Sequence, residues 1–131
     1  MPNNWVEGIL YNNMRYANSD TGWNFDIDGI EPIQLTRYTS GQFYEWHSDE
    51  EYITKREYHR KLTCVVQLTD PNEYEGGNLE FYELTEYPKA EEVKTRGTAI
   101  FFPSFLLHSA SPVTKGTRYS LAAWFDGPKW S

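Results

Sequence analysis

Three histidines are spread along the 131-residue chain, at positions 47, 59 and 108, and the first stands two residues before an aspartate in YTSGQFYEWHSDEE, residues 38 to 51. In an extended strand residues i and i+2 share a face, so His47 and Asp49 can aim into one cavity while Ser48 points away. That supplies two metal ligands from one strand. Alone, the pair is more often a polar patch at a strand end, because an isolated H-x-D recurs by chance in unrelated chains. A third ligand has to come from elsewhere. His59 falls in EEYITKREYHR, residues 50 to 60, the most charged part of the middle of the chain, which reads as an exposed loop. His108 follows an apolar run in FFPSFLLHSASPV. A strand end beside a core is held more rigidly than a charged loop, and a metal site needs fixed ligands, so His108 is the expected third ligand.

Two histidines and one carboxylate on one side of an octahedral ion leave three positions open, the arrangement used by non-heme Fe(II) oxygenases. Arg118 adds a second kind of chemistry. It lies in TKGTRYSLAAWF, where VTKGTR reads as a hairpin turn joining the strand that carries His108 to the one that carries Arg118. As part of a hairpin partner, Arg118 would sit deeper in the same cavity, with Ser120, Ala122 and Trp124 on its face by alternation. A guanidinium is always charged and costs several kcal/mol to bury alone, so an inward Arg118 requires a protein carboxylate or a bound one. A structural arginine–carboxylate pair or an exposed strand arginine is the commoner fate of such a residue.

These side chains have to be held by strands. Short runs rich in β-branched and aromatic residues, IQLTRYT, GQFYEWHSD, RKLTCVVQLT, NLEFYEL, GTAIFFP and TRYSLAAWFD, alternate with turn chemistry. Strand and turn units this short predict an antiparallel sandwich or jelly roll rather than a parallel α/β sheet. In residues 60 to 69, Leu62, Cys64, Val66 and Leu68 fall on one face and Thr63, Val65, Gln67 and Thr69 on the other, and one face is expected to pack against a second sheet. DPNEYEGGN reads as a tight connection. Upstream, Trp5, Ile9, Leu10 and Met14 give a helical pattern from Trp5 to about Ala17, ended by NSDTG. Tyr44 and Trp46 are out of phase with His47 and are expected to pack in the core.

Composition sets the frame. The length suits one domain, 1–131, and the aromatic share of 17% supplies enough buried area to exclude disorder. A net charge of -7 repels phosphate backbones and anionic bilayers, so neither nucleic acid nor a membrane is an expected partner. The single Cys64, in an apolar alternation, reads as a small buried hydrophobe in a reducing compartment. No basic start with an apolar run precedes the first helix and no segment is apolar enough to span a bilayer, which makes the cytoplasm the expected location.

Taken together, YTSGQFYEWHSD, read as Y-x-x-G-x-x-Y-x-x-H-x-D, then YEGGNLEF, then KTRGTAIFFPSFLLHSASPVTKGTRYSLAAWFDGP, resemble the 2-oxoglutarate- and Fe(II)-dependent dioxygenases of the prolyl 4-hydroxylase-like branch. The match runs from about Gln34 to Pro128, an expected core of 34–128, with the basic residue ten positions past the distal histidine. It implies a double-stranded β-helix (jelly roll) with a short N-terminal helix. It implies His47, Asp49 and His108 as iron ligands, and Arg118 as the partner of the distal carboxylate of 2-oxoglutarate. Tyr38, Ser120, Trp124 and Gln67 fall where the family lines the cosubstrate pocket; for Tyr38, Trp124 and Gln67, core packing or ordinary strand polarity is an equal reading. Two departures stand out. Relatives often carry longer helices before the motif, so the layer supporting the sheet is expected to be reduced or to come from a partner subunit. Many collagen-type relatives have lysine where this chain has Arg118, whereas arginine resembles the oxygen-sensing and bacterial-type members; both hold a carboxylate, arginine with a planar fork.

The implied reaction uses Fe(II), 2-oxoglutarate and O2, with ascorbate as an accessory reductant. It oxidatively decarboxylates the cosubstrate to succinate and CO2 and hydroxylates a C–H bond, with peptidyl proline in a peptide or protein as the expected substrate. The charged segment 50 to 60, with Glu50, Glu51, Tyr52, Tyr58 and Arg60, is expected to serve either as a lid over a bound peptide or as a solvated connection. Two other readings stay open: hydroxylation of a small molecule such as a free amino acid, and a jelly-roll binding module without turnover. The presence of all four of His47, Asp49, His108 and Arg118 weighs against the last.

Overall fold

The structure, a computed structural model, describes residues 5–49, 58–82 and 93–128. Helix α1 spans Trp5–Asp20, three residues beyond the expected end. It is followed by strands β1 Gly29–Ile30, β2 Gln34–Tyr38, β3 Tyr44–His47, β4 Tyr58–Gln67, β5 Tyr74–Gly76, β6 Leu79–Phe81, β7 Ala99–Pro103, β8 His108–Ala110, β9 Val113–Gly116 and β10 Arg118–Pro128. All pairings among the described residues are antiparallel. The major sheet runs β1-β10-β4-β7 with β2 also on β10; the minor sheet runs β3-β8-β6, and β5 pairs with β9. Two antiparallel sheets facing each other across a cavity make the expected jelly roll, with its N-terminal helix.

The alternation in β4 decides which side is the core. Leu62 and Cys64 are fully buried against Leu10 and Met14 of α1, together with Ala123 and Phe125 of β10. The apolar face is therefore covered by the helix, and the face that meets the second sheet is the one carrying Thr63 and Val65. Leu10 and Met14, four apart, form the buried stripe of the helix; Trp5 and Ile9 are 73% and 50% exposed and lie off it. At the helix end the Asn18 amide clamps the chain, its Nδ2 donating to Phe25 O and its Oδ1 accepting from Phe25 N, both at 2.9 Å.

Several connections differ from expectation. Residues 58 to 60 belong to β4 and not to an exposed loop, while 50 to 57 lie outside the described residues. VTKGTR is not a hairpin turn. β9 pairs with β5, and β10 pairs with β1, β2 and β4, so the chain leaves one sheet at Gly116 and enters another at Arg118. DPNEYEGGN is more than a tight connection: it holds a 3-10 turn at Pro71–Glu73, capped by Asp70 Oδ1 accepting from Asn72 N at 2.9 Å, and then β5 itself.

Two β-bulges re-aim side chains. Between β3 and β8, Tyr44 faces Ala110 and His47 faces His108, three steps on one strand against two on the other. Tyr44 and His47 both reach the cavity as a result. Tyr44 and Trp46 are 52% and 48% exposed, so neither packs in the core as expected; the extra residue shifts the alternation the phase argument relied on. Between β4 and β10 the register steps from Leu62–Phe125 to Arg60–Asp126, leaving Lys61 as the extra residue. That turns Arg60 to the same side as Thr63.

Candidate metal and cosubstrate site

A cavity of about 430 Å³ lies between the sheets. On the major-sheet side, alternate residues line it: Thr36 and Tyr38 of β2, Thr63 and Val65 of β4, and Arg118, Ser120, Ala122 and Trp124 of β10. On the minor-sheet side are Tyr44, His47 and Asp49 from β3 and its end, and His108 at the start of β8.

His47, Asp49 and His108 converge, each offering a ligand atom within 4.8 Å of the others. His47 Nε2 is 3.2 Å from Asp49 Oδ1, and His108 Nε2 is 3.3 Å from Asp49 Oδ2. The outer nitrogens are already committed. His47 Nδ1 lies 2.6 Å from Glu45 O and His108 Nδ1 lies 2.9 Å from Leu106 O. A carbonyl only accepts, so both Nδ1 atoms donate and both Nε2 atoms turn to the carboxylate. The carboxylate calls for positive charge between it and the two rings. A proton on an imidazole answers one contact; a divalent cation answers all three atoms, and this donor set suits a transition metal with open coordination positions. The residues present therefore fit a metal. His59, on β4, is not among the converging groups.

Asp49 is only 6% exposed. Burial pushes its carboxyl up, but the hydrogen bond and charge of His108 and the hydrogen bond from Thr63 outweigh it and hold the group below its ordinary value. Its backbone N donates to Ser104 O at 2.9 Å, fixing the residue just beyond β3 to the end of β7. The Tyr44 ring lies against the His47 ring, tilted by 39° with the ring centroids 4.1 Å apart.

The other end of the cavity is cationic. Arg118 is 2% exposed, with its Nη2 and Nε donating to Gln67 Oε1 at 3.1 and 3.3 Å and its guanidinium 5.2 Å from the Tyr38 ring. Among the described residues no carboxylate pairs with it. Gln67 is held in this orientation because its Nε2 donates to Val93 O at 3.0 Å. Lys94 lies nearby, its Nζ donating to Gly76 O at 3.2 Å; burial and the Arg118 charge lower its pKa. Burial raises the Tyr38 phenol against the opposing pull of Arg118. The backbone passes close by at Gly77, where φ is +58 and a Cβ would meet Arg118 Cδ at 3.1 Å and Val113 Cγ2 at 3.0 Å, so the YEGGN glycine makes room for the arginine.

The structure thus brings all eight sequence-selected residues to one cavity or its wall: His47, Asp49, His108, Arg118, Tyr38, Ser120 and Trp124 line it, and Gln67 backs Arg118. Sequence reasoning missed Thr63, Ser104 and the inward Arg60. Arg60 donates from Nε and Nη2 to both carboxylate oxygens of Glu31, at 2.8 and 2.9 Å, and its guanidinium lies 4.2 Å over the Trp124 ring. The alternation of β4 flagged the face of Thr63, but the bulge that exposes Arg60 to the cavity has no sequence signal.

The model of the 2OG-Fe(II) oxygenase superfamily matches residues 33–126. A PKHD-type hydroxylase of Sphingopyxis alaskensis is 37% identical over 91 residues, covering 68% of this chain and 41% of that protein. Another, of Parvibaculum lavamentivorans, is 35% identical over 94 residues, covering 70% and 40%. The chain spans about two fifths of the length of these curated relatives. Among solved structures, the viral collagen prolyl hydroxylase of Paramecium Bursaria Chlorella virus-1 in its 2OG complex superposes with a TM-score of 0.75 at 26% identity, over 98% of this chain and 77% of that one. A Pseudomonas putida prolyl-4-hydroxylase shares the fold with a TM-score of 0.64 at 21% identity, over 91% and 63%. No helix among the described residues is long and apolar enough to cross a membrane. The antiparallel jelly roll, the converging His47, Asp49 and His108, and a family match over most of the chain make this protein a member of the 2OG-Fe(II) oxygenase superfamily.

Proposed function

We propose that the protein is an Fe(II)- and 2-oxoglutarate-dependent hydroxylase acting on peptidyl proline, with His47, Asp49 and His108 as metal ligands and Arg118 as the cosubstrate anchor. The observation that carries this reading is a buried arginine with no carboxylate partner among the described residues, set in the same cavity as a two-histidine, one-carboxylate face. Bound at that face, Fe(II) together with 2-oxoglutarate and O2 supplies the oxidising power for hydroxylating an unactivated C–H bond, with release of succinate and CO2.

The chain's own residues supply position. The Nδ1 donations to Glu45 O and Leu106 O fix both ring planes before any ligand arrives, so little ordering is left to do on binding. Arg118 receives the distal carboxylate of the cosubstrate as a charge-assisted hydrogen bond, with Gln67 Oε1 keeping its fork in place. Tyr38 faces Arg118 across the β2–β10 pairing, Ser120 lies two residues along β10 from it, and both offer hydroxyls to the same carboxylate. Trp124 walls the metal end, its ring backed by Arg60, and helps keep bulk water from the reacting atoms.

The PKHD-type and prolyl hydroxylase relatives favour proline in a peptide or protein over a free amino acid. Incubating the protein with Fe(II), 2-oxoglutarate, air and a panel of proline-containing peptides and free amino acids tests this by mass spectrometry. Gain of one oxygen on peptidyl proline, matched by succinate, is the expected result. Gain on a free amino acid alone would move the substrate to the small-molecule class.

A further inference from the structure

Thr63 Oγ1 donates to Asp49 Oδ2 at 2.8 Å and lies 2.9 Å from Ser104 Oγ. All three residues are buried: Thr63 at 2% exposure, Ser104 at 0%. A threonine hydroxyl has one proton, and an ionised carboxylate only accepts, so Thr63 spends its proton on Asp49 and Ser104 must donate to Thr63. The direction of the chain Ser104 to Thr63 to Asp49 is therefore fixed by donor count. Ser104 is itself anchored, its N donating to Lys61 O at 3.0 Å and its O accepting from Asp49 N at 2.9 Å and from Ser48 Oγ at 3.1 Å. The aspartate is held at its backbone by Ser104, just past the end of β7, and at its side chain by Thr63 of β4.

We propose that Thr63, with its hydroxyl oriented by Ser104, is the positioning residue that sets the Asp49 carboxylate for the metal. The inference rests on the proposed metal site. Without Thr63 the carboxylate is free to turn about its terminal torsion, which is broad and weakly restrained, and the oxygens leave the two Nε2 atoms they now face at 3.2 and 3.3 Å. With it, three ligand atoms are ordered before the ion binds. Partners of this kind around metal ligands are commonly worth about 10- to 100-fold in affinity.

The test is a titration of the whole chain with Mn(II), following the EPR signal of the unbound ion, so that no turnover is needed. Wild type, Thr63→Val, Thr63→Ser, Ser104→Ala and Asp49→Ala are compared, with thermal melts to establish folding. Thr63→Val is near-isosteric and is expected to bind about 10- to 100-fold more weakly, Thr63→Ser to bind within about threefold of wild type, and Ser104→Ala to fall between them. The Mn(II) bound to Thr63→Val should also show an altered EPR line shape, which a general loss of stability would not produce. Equal affinity of wild type and a folded Thr63→Val overturns the positioning role. If Thr63→Val does not fold, failure of Thr63→Ser to match wild type, or of Ser104→Ala to weaken binding, overturns it instead. Absence of Mn(II) binding by wild type, or retention of binding by Asp49→Ala, overturns the metal site itself and the positioning role with it.

Discussion

Gln67 Oε1 receives the Arg118 guanidinium from two nitrogens, at 3.1 and 3.3 Å, across the paired strands β4 and β10. A neutral acceptor satisfies the geometry of the guanidinium without neutralising it, so the positive charge remains available to a ligand carboxylate at the closed end of the cavity. Replacing Arg118 with Gln should raise the half-saturating 2-oxoglutarate concentration by about 30-fold or more, because losing one member of a buried hydrogen-bonded charge pair costs about 2–5 kcal/mol. Gln67→Leu removes only the support and should raise it by about tenfold, the size of one hydrogen bond to a charged group. Calorimetric titration with 2-oxoglutarate measures both; an unchanged affinity in Arg118→Gln would remove Arg118 from the cosubstrate site.

The helix makes a sharper prediction about stability. Met14 is 1% exposed in the core with Leu62, Cys64 and Phe125, whereas Trp5 is 73% exposed on the same helix. Met14→Ala should cost about 2–5 kcal/mol and Trp5→Ala no more than about 0.5 kcal/mol, measured by urea unfolding. The larger residue is the less important one here, since burial rather than size decides.

What the sequence conveyed about this site follows from period-two alternation. Arg118, Ser120, Ala122 and Trp124 in β10 lie in regular ladder, and their common phase is readable from spacing, whereas Tyr38 in β2 is indicated only by the family resemblance. His47 and Asp49 are readable too, as is the preference for a strand-end His108 over His59. The alternation stops being informative at bulges, because one inserted residue reverses the phase beyond it. Phase alone puts Tyr44 in the core and the charge of residues 50 to 60 puts Arg60 in a loop, whereas the bulges bring both to the cavity. A hairpin is the route spacing suggests for Arg118, but it reaches the cavity because the chain changes sheets after Gly116, and spacing does not distinguish the two routes. Thr63 and Ser104 are 41 residues apart and meet only through the pairing of β4 with β7, a register that no local pattern encodes.

Cys64 gives a prediction about pH. Burial pushes its thiol up to about 12, and the side chain is fully buried. A raised folded-state pKa contributes stability that is fully present below the unfolded value, about 8.5, and is lost as pH rises toward the folded one. Stability should therefore decline between about pH 8.5 and 12 more steeply in the wild type than in Cys64→Ala, followed by urea midpoints across that range. In the native protein at pH 8 alkylation by iodoacetamide should be slow and should accelerate only with unfolding, since the thiolate is the reactive form.

The central claim is that His47, Asp49 and His108 hold Fe(II) in the cavity that Arg118 closes. Anaerobic addition of Fe(II) followed by 2-oxoglutarate, read by visible absorption, tests it directly. The wild type and His59→Ala should both develop a metal-to-ligand charge-transfer band, and His108→Ala should not. A folded wild type without the band, or a band that survives His108→Ala and vanishes in His59→Ala, would contradict the account.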